Sequence, residues 1–225
     1  MAGGLAAAVA GPATAAVAPR LLFAAGPLAG NSVARRFQRP PAGLRRPAGT
    51  VDSGAGPRRF ADLRGSLRIV SLWAEWCAPC LLELPDLAAL GARYQGRGFE
   101  VLAVLTGSGR KLGWRDAQAL LDGRGARLPL WVEPDGGSTW LGALADAGGQ
   151  PTLPCNLIVD RAGVVRGRSF GASPSAPMAL DARGGRLTDL GKAQILASGA
   201  HTLWATPQAD AFVQALLAGA LGRTA

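Results

Sequence analysis

Two of the three cysteines in this chain, Cys77 and Cys80, are separated by two residues, and that spacing suits thiol-disulfide exchange. A thiolate at Cys77 can attack a disulfide sulfur, and a thiol one helical turn further on, at Cys80, can then resolve the mixed disulfide by closing a Cys77–Cys80 bond. Such chemistry needs an easily ionised first thiol. The start of a helix provides one, because unpaired backbone N–H groups and the positive end of the macrodipole stabilise an anion there. Zinc binding is the competing use of a close cysteine pair, but it needs a second pair or histidines. The single histidine, His201, is far down the chain and reads as a surface or capping residue. The exchange chemistry requires no metal and no organic cofactor.

Several elements must position the pair. Residues 67–73 form an apolar, β-branched run suited to burial in the middle of a sheet, and the cysteines follow it directly. A helix is predicted over about 77–94, stopping near Gly96 and Gly98, and a second buried strand over 99–105. Strand, helix and strand in this order imply a right-handed parallel crossover, with the reactive turn at the C-terminal end of the first strand. Residues 106–110 read as a turn, since the glycines there lack a Gly-Lys-Ser/Thr continuation. Further elements are predicted as a helix over 114–121, an extended piece over 128–133, a helix over 138–145 with Ser138 as N-cap, and a strand over 164–170. A loop is expected over 172–185, then a helix over 188–197 with Thr188 as N-cap. A final helix from Pro207 through Leu221 is capped by Thr206. Trp114, Trp131, Trp140 and Trp204 read as core or anchoring aromatics.

The stretch Trp73-Ala74-Glu75-Trp76-Cys77-Ala78-Pro79-Cys80 resembles the active-site pattern of the thioredoxin superfamily, with Ala78 at the usual glycine. The continuation Glu83-Leu84-Pro85 is similar to the TlpA-like (ResA-like) thiol-disulfide reductases of bacterial cell envelopes, and so is the long insertion between Cys80 and Pro154. This resemblance implies an α/β thioredoxin-like fold, a central mixed sheet flanked by helices. It implies Cys77 as nucleophile and Cys80 as resolving thiol, with Trp76, Ala78, Pro79, Leu153 and Pro154 at the substrate. Pro154, six residues before Asp160, takes the place of the family's cis-proline, and the backbone of Leu153 pairs with substrate as an added strand. Ser71 stands where thioredoxins keep a buried acid, so a carboxylate base for Cys80 is missing at that position. Glu75, the nearest acid in sequence, is a candidate for tuning proton transfer, with a solvated loop carboxylate as the alternative. Cys155 has two readings: an inert buried residue, or a third thiol within disulfide reach of Cys80.

With 225 residues and 48% hydrophobic content, the chain is sized for one domain plus an appendage. The net charge of +9 is concentrated at one end, because residues 1–68 carry ten arginines against Asp52 and Asp62. The remainder is nearly neutral, and the basic arm lacks the interleaved aromatics of a nucleic-acid surface. Residues 1–34, rich in Ala, Gly, Pro and Leu, read as a signal peptide or membrane anchor. Residues 35–58 read as a basic, Pro/Gly-rich flexible linker, and 59–225 as the thioredoxin-like domain, so the N-terminal part is a low-complexity arm. Membrane association through residues 1–46 would use the arginines on anionic lipid.

The function expected is reduction of protein disulfides in the cell envelope, periplasmic or membrane-tethered. Its partners are protein thiols and disulfides and an upstream electron-donor thiol protein, with no nucleic acid. A cytoplasmic thioredoxin-like reductase and a binding or redox-sensing module without turnover are the alternatives.

Overall fold

The computed structural model describes residues 21–41, 44, 46–144, 152–171 and 202–222. The apolar runs become strands β1 (Val51–Asp52), β2 (Pro57–Arg58), β3 (Leu67–Trp73), β4 (Phe99–Leu105), β5 (Leu130–Val132), β6 (Cys155–Val159) and β7 (Val165–Phe170). They form one sheet in the order β2-β1-β5-β4-β3-β6-β7. The strands β3, β4 and β5 run parallel, while β1 joins β5, β6 joins β3 and β7 joins β6 antiparallel. The fold is therefore α/β with a mixed central sheet. Helices α1 (Ala78–Arg93), α2 (Trp114–Asp122), α3 (Thr139–Ala143) and α4 (Pro207–Leu217) complete it.

Strand alternation sorts the core into two faces. On one, Leu67 and Ile69 of β3 and Ile158 of β6 meet Leu87, Leu90 and Tyr94 of α1 and Phe212 and Val213 of α4. Further along the same face, Trp73, Ala103 and Leu130 meet Leu81 and Leu84 of α1 and Ala117 and Leu121 of α2. On the other face, Val70, Leu72, Val104, Leu157 and Val159 pack against Phe60, Leu63 and Trp140. The helix α1 is also tied to the C-terminal segment: Asp86 Oδ2 accepts from Thr202 N (2.7 Å) and Thr202 Oγ1 (2.8 Å), and Tyr94 Oη donates to Asp210 O.

The N-terminal boundaries differ from those the sequence predicts. Phe23, Leu28, Val33, Ala34 and Phe37 are buried in the core with α1 and α4, so residues 21–38 are part of the domain and not an anchor followed by a linker. Phe37 stacks on Phe212 with ring centroids 5.4 Å apart and meets Trp204 edge-on. Asn31 organises this segment. Its Oδ1 accepts from Val33 N and Ala34 N, and its Nδ2 donates to Gln208 O of α4. Gln38 and Arg168 exchange two backbone hydrogen bonds, which covers the free edge of β7. Downstream, Val51 and Asp52 are a strand and not flexible chain. Irregularly spaced apolar residues among Ala, Gly and Pro carry no period, so only the distant partners reveal that they are core. Among the described residues, no helix is long and apolar enough to cross a membrane.

Smaller corrections concern caps. Ser138 makes no side-chain cap on α3, and the helix amide of Trp140 is taken by Glu133 Oε1 instead. Thr206 turns its Oγ1 back to Leu203 O, and α4 ends at Leu217. The loop and helix expected over 172–197, and His201, lie outside the described residues.

Candidate active site

The strand β3 delivers the site. Its last residue, Trp73, is fully buried, and the chain turns at Ala74, whose carbonyl accepts from Cys77 N at 3.0 Å. Cys77 is the N-cap of α1, and its Sγ accepts a hydrogen bond from Cys80 N at 3.3 Å. Pro79, in the first turn, has no N–H to offer, and the amide of Cys80 supplies the hydrogen bond to the sulfur. Cys77 and Cys80 are joined in a disulfide with Cα atoms 5.3 Å apart. Both are buried. On reduction, negative charge on Cys77 Sγ is stabilised by this amide and by the helix terminus. Cys80, one turn inside the helix, is fully covered.

The Leu153–Pro154 peptide bond is cis, as the resemblance to the thioredoxin superfamily implies. Because β6 runs antiparallel to β3, with Leu72 opposite Cys155, the start of β6 lies beside the end of β3. Leu153 thereby packs against the cluster that contains Trp73, Ala74, Cys77 and Cys80. Ala78 and Pro79 are half-buried beside it, and Trp76 is 61% exposed, the most exposed large apolar side chain described. The structure brings all of these residues to one end of the sheet.

Trp76 and Glu75 also fasten the next loop. Trp76 Nε1 donates to Gly107 O at 2.8 Å, and Glu75 Oε1 accepts from Arg110 N at 2.8 Å. Glu75 is therefore half-buried and anchors the loop after β4, in place of the freely solvated carboxylate that was one of its two readings.

Ser71 is buried in β3 and carries no charge, but a carboxylate arrives from elsewhere. Glu83, three residues past Cys80 and so on the same side of α1, is 1% exposed and points onto the sheet, where its Oε2 accepts from Asn156 Nδ2 at 3.0 Å. Asn156 is the residue of β6 directly opposite Ser71. The carboxylate near Ser71 thus comes from the helix and not from the strand, where the family pattern places it. The signal was present in the Cys80-x-x-Glu83 spacing.

Cys155 is on the other side. It packs with Leu72, Leu157 and Val159 on the sheet face opposite α1, whereas Cys77 and Cys80 belong to the α1 face. Burial pushes its thiol up to about 12, with Arg168 pulling weakly the other way. We expect Cys155→Ala to leave the exchange rate unchanged within about twofold. We also expect an alkylating reagent to modify Cys77 of the reduced protein well before Cys155, as peptide mass mapping would establish. A Cys80–Cys155 bridge in air-oxidised protein is the contrary result. Since the folded-state thiol titrates higher than the unfolded one, its contribution to stability is intact below about pH 9. It is lost as the pH rises toward 12, where the unfolded chain ionises first.

The chain is similar in sequence to known thiol-disulfide oxidoreductases. The chain is 27% identical over 108 residues to the thiol-disulfide oxidoreductase ResA of Geobacillus thermodenitrificans, covering 48% of this chain and 56% of the relative. It is 31% identical over 123 residues to the thiol:disulfide interchange protein HelX of Rhodobacter capsulatus, covering 51% and 58%. The chain thus spans little more than half the length of these curated relatives. Among solved structures, a putative thiol:disulfide interchange protein DsbE from Chlorobium tepidum is 24% identical, with 72% of this chain and 99% of that chain covered and a TM-score of 0.48. The model of the AhpC/TSA family matches residues 37–168. Since that match is more than half of the chain and takes in the cysteine pair, the helix behind it and the cis-proline loop, the chain belongs to the AhpC/TSA family and is a TlpA/ResA-like member of the thioredoxin superfamily.

Proposed function

We propose that the chain is a thiol-disulfide oxidoreductase that reduces protein disulfides. The observation that carries this reading is Cys77 at the N-cap of α1, its sulfur hydrogen-bonded to the amide of Cys80, with Leu153 and cis-Pro154 beside it. In the reduced state the Cys77 thiolate attacks one sulfur of a partner disulfide, forming a mixed disulfide and releasing the other partner sulfur as a thiolate that takes up a proton. Cys80 then gives its proton to Glu83, and the resulting thiolate attacks Cys77 Sγ. The partner leaves as its second thiol. Two electrons have passed from the Cys77/Cys80 dithiol to the partner, and a donor thiol protein must return them. Trp76, Ala78, Pro79 and the backbone of Leu153 form the surface on which the partner's chain lies, as an added strand at Leu153.

Dithiothreitol-driven insulin reduction tests the activity, and a protein that binds the substrate but never turns it over would support a redox-sensing or binding module instead. The reduction potential of the pair against glutathione decides between reductant and oxidant, since about 30 mV is a tenfold change in equilibrium for a two-electron couple. For the location, we favour the cell envelope, supported by the resemblance to TlpA-like reductases. Fractionation of cells expressing the full chain and a chain lacking residues 1–20 tests it. The cut falls before Phe23 because later truncation would remove buried core.

A further inference from the structure

The end of the sheet away from the cysteines carries a surface that thiol exchange does not use. The strands β3 and β4 start there and β6 turns into β7 there, so the length of β3 sets this pole about 20 Å from Cys77. The segments before β3 and β4 and the turn between β6 and β7 expose Arg64, Arg97 and Arg161. Beside them is a groove of about 590 Å³ with Leu22, Leu44, Val165 and Leu221 in its lining. The exposed Arg39 and Arg46 and the half-buried Arg166 border it. The acids nearby are already engaged. Glu100 pairs with Arg68 at 2.7 Å, Asp160 Oδ1 accepts from Ala162 N and Val164 N, and Asp62 Oδ2 accepts from Arg59 N. By contrast, Arg39, Arg46, Arg64, Arg97 and Arg161 have no ion-pair partner among the described residues.

Only two large apolar side chains are exposed among the described residues, and they mark two different surfaces. Trp76 is at the dithiol, and Leu21, 40% exposed, directly precedes Leu22 of the groove. We propose that this basic pole is a docking surface for a membrane rich in anionic phospholipid, with Leu21 and the groove meeting the apolar part of the lipid and the arginines its phosphates. A bilayer offers both halves at once, negative headgroups over hydrocarbon, whereas a nucleic acid offers phosphate without an apolar layer beneath it. Arginine suits the task, because its planar fork binds two phosphate oxygens together. An apolar contact alone gives marginal, reversible membrane binding, and a basic patch beside it makes the attachment stable. Here the two coincide. Residues 1–20, whose only charged side chain is Arg20, join the fold at the same groove through Leu21. Docked in this way, the domain turns Cys77, Trp76 and Leu153 away from the lipid. The surface is separate from the dithiol, and the inference does not depend on the direction in which electrons flow.

Flotation of the full-length protein with vesicles tests the proposal. Vesicles of phosphatidylcholine mixed in equal parts with anionic phosphatidylglycerol should carry the protein, at least about tenfold more than phosphatidylcholine alone, and added salt should weaken the binding. The combined variant Arg39→Gln, Arg46→Gln, Arg161→Gln removes three exposed charges from the pole and should lower the partition by about tenfold or more. The combined variant Arg110→Gln, Lys111→Gln, Arg115→Gln removes the same charge from exposed positions after β4, toward the dithiol, and should leave it within about twofold. This pair separates the pole from net charge and from residues 1–20, which both variants retain. Leu21→Glu should weaken binding several-fold, and Trp76→Glu, at the other exposed apolar side chain, should not. Arg46→Gln alone carries the same test with a smaller loss if the combined variant does not fold. In reduced protein, alkylation of Cys77 should be as fast on the vesicles as off them. Equal binding to both kinds of vesicle, equal losses from the two combined variants, or a Cys77 shielded by the vesicles overturns the inference. Failure to reduce insulin would overturn the exchange reading and leave the vesicle result standing, so the two failures are separable.

Discussion

Cys77→Ser should abolish insulin reduction, lowering the rate by more than about 10³-fold, the scale on which removal of an attacking group acts. Cys80→Ser should be equally unable to turn over but should accumulate a covalent adduct with its partner. The asymmetry follows from the position of each sulfur. Cys77 Sγ sits at the helix N-terminus and receives an amide hydrogen bond, so its thiolate forms readily and attacks. Cys80 is one turn inside α1 and almost fully covered, where it meets only a sulfur already delivered to Cys77. Removing it leaves attack intact and eliminates resolution. Non-reducing electrophoresis with mass spectrometry of the adduct checks the pair of variants. Equal trapping by both would show that the two sulfurs do not divide the roles in this way.

Phe37→Ala should destabilise the fold by about 3–5 kcal/mol, with a Tm lower by roughly 10 °C, as measured by urea and thermal unfolding. The ring is completely buried, stacked on Phe212 and edge-on to Trp204, in a core shared by the N-terminal segment, α1 and α4. Little else is available to fill the space, since Leu22 and Ile158 already press against Gly167 of β7 from the same side. Arg35→Ala, two residues earlier on the exposed side, is the control and should change stability by no more than about 0.5 kcal/mol. If residues 35–58 behaved as a solvated linker, both substitutions would be silent.

The chemistry was legible because it is local. The Cys77-x-x-Cys80 pair, the apolar run before it and the helical pattern after it are contiguous, and the helix start that activates Cys77 is a property of about ten consecutive residues. The strands at β3, β4 and β7 and the helix at α1 announced themselves by β-branched runs and by three-to-four spacing. Pro154 was legible for a similar reason, as its distance to Asp160 lies within one loop and one strand.

The remainder depends on register and on distant contacts. Which side of the sheet Cys155 takes could not be read from its neighbours, because a shift of one residue in pairing would have turned it toward Cys80. The observed register places it opposite Leu72, on the face away from α1. The same register decides that Asn156, and not Cys155, meets Glu83, which brings a helix carboxylate beside the strand position of Ser71. The N-terminal segment is the clearest case of tertiary control. Phe23, Leu28 and Phe37 have no period of their own, and they are core only because Trp204, Phe212 and Val213, from the other end of the chain, close over them. The sequence by itself thus determined the reactive dithiol, its strand–turn–helix setting and the cis-proline loop, since each is written within a short stretch. Only the tertiary structure decided that Glu83 meets Asn156, that Cys155 faces away from α1 and that residues 21–38 pack in the core. Each of these depends on the pairing of residues far apart in the chain, which local propensity does not encode.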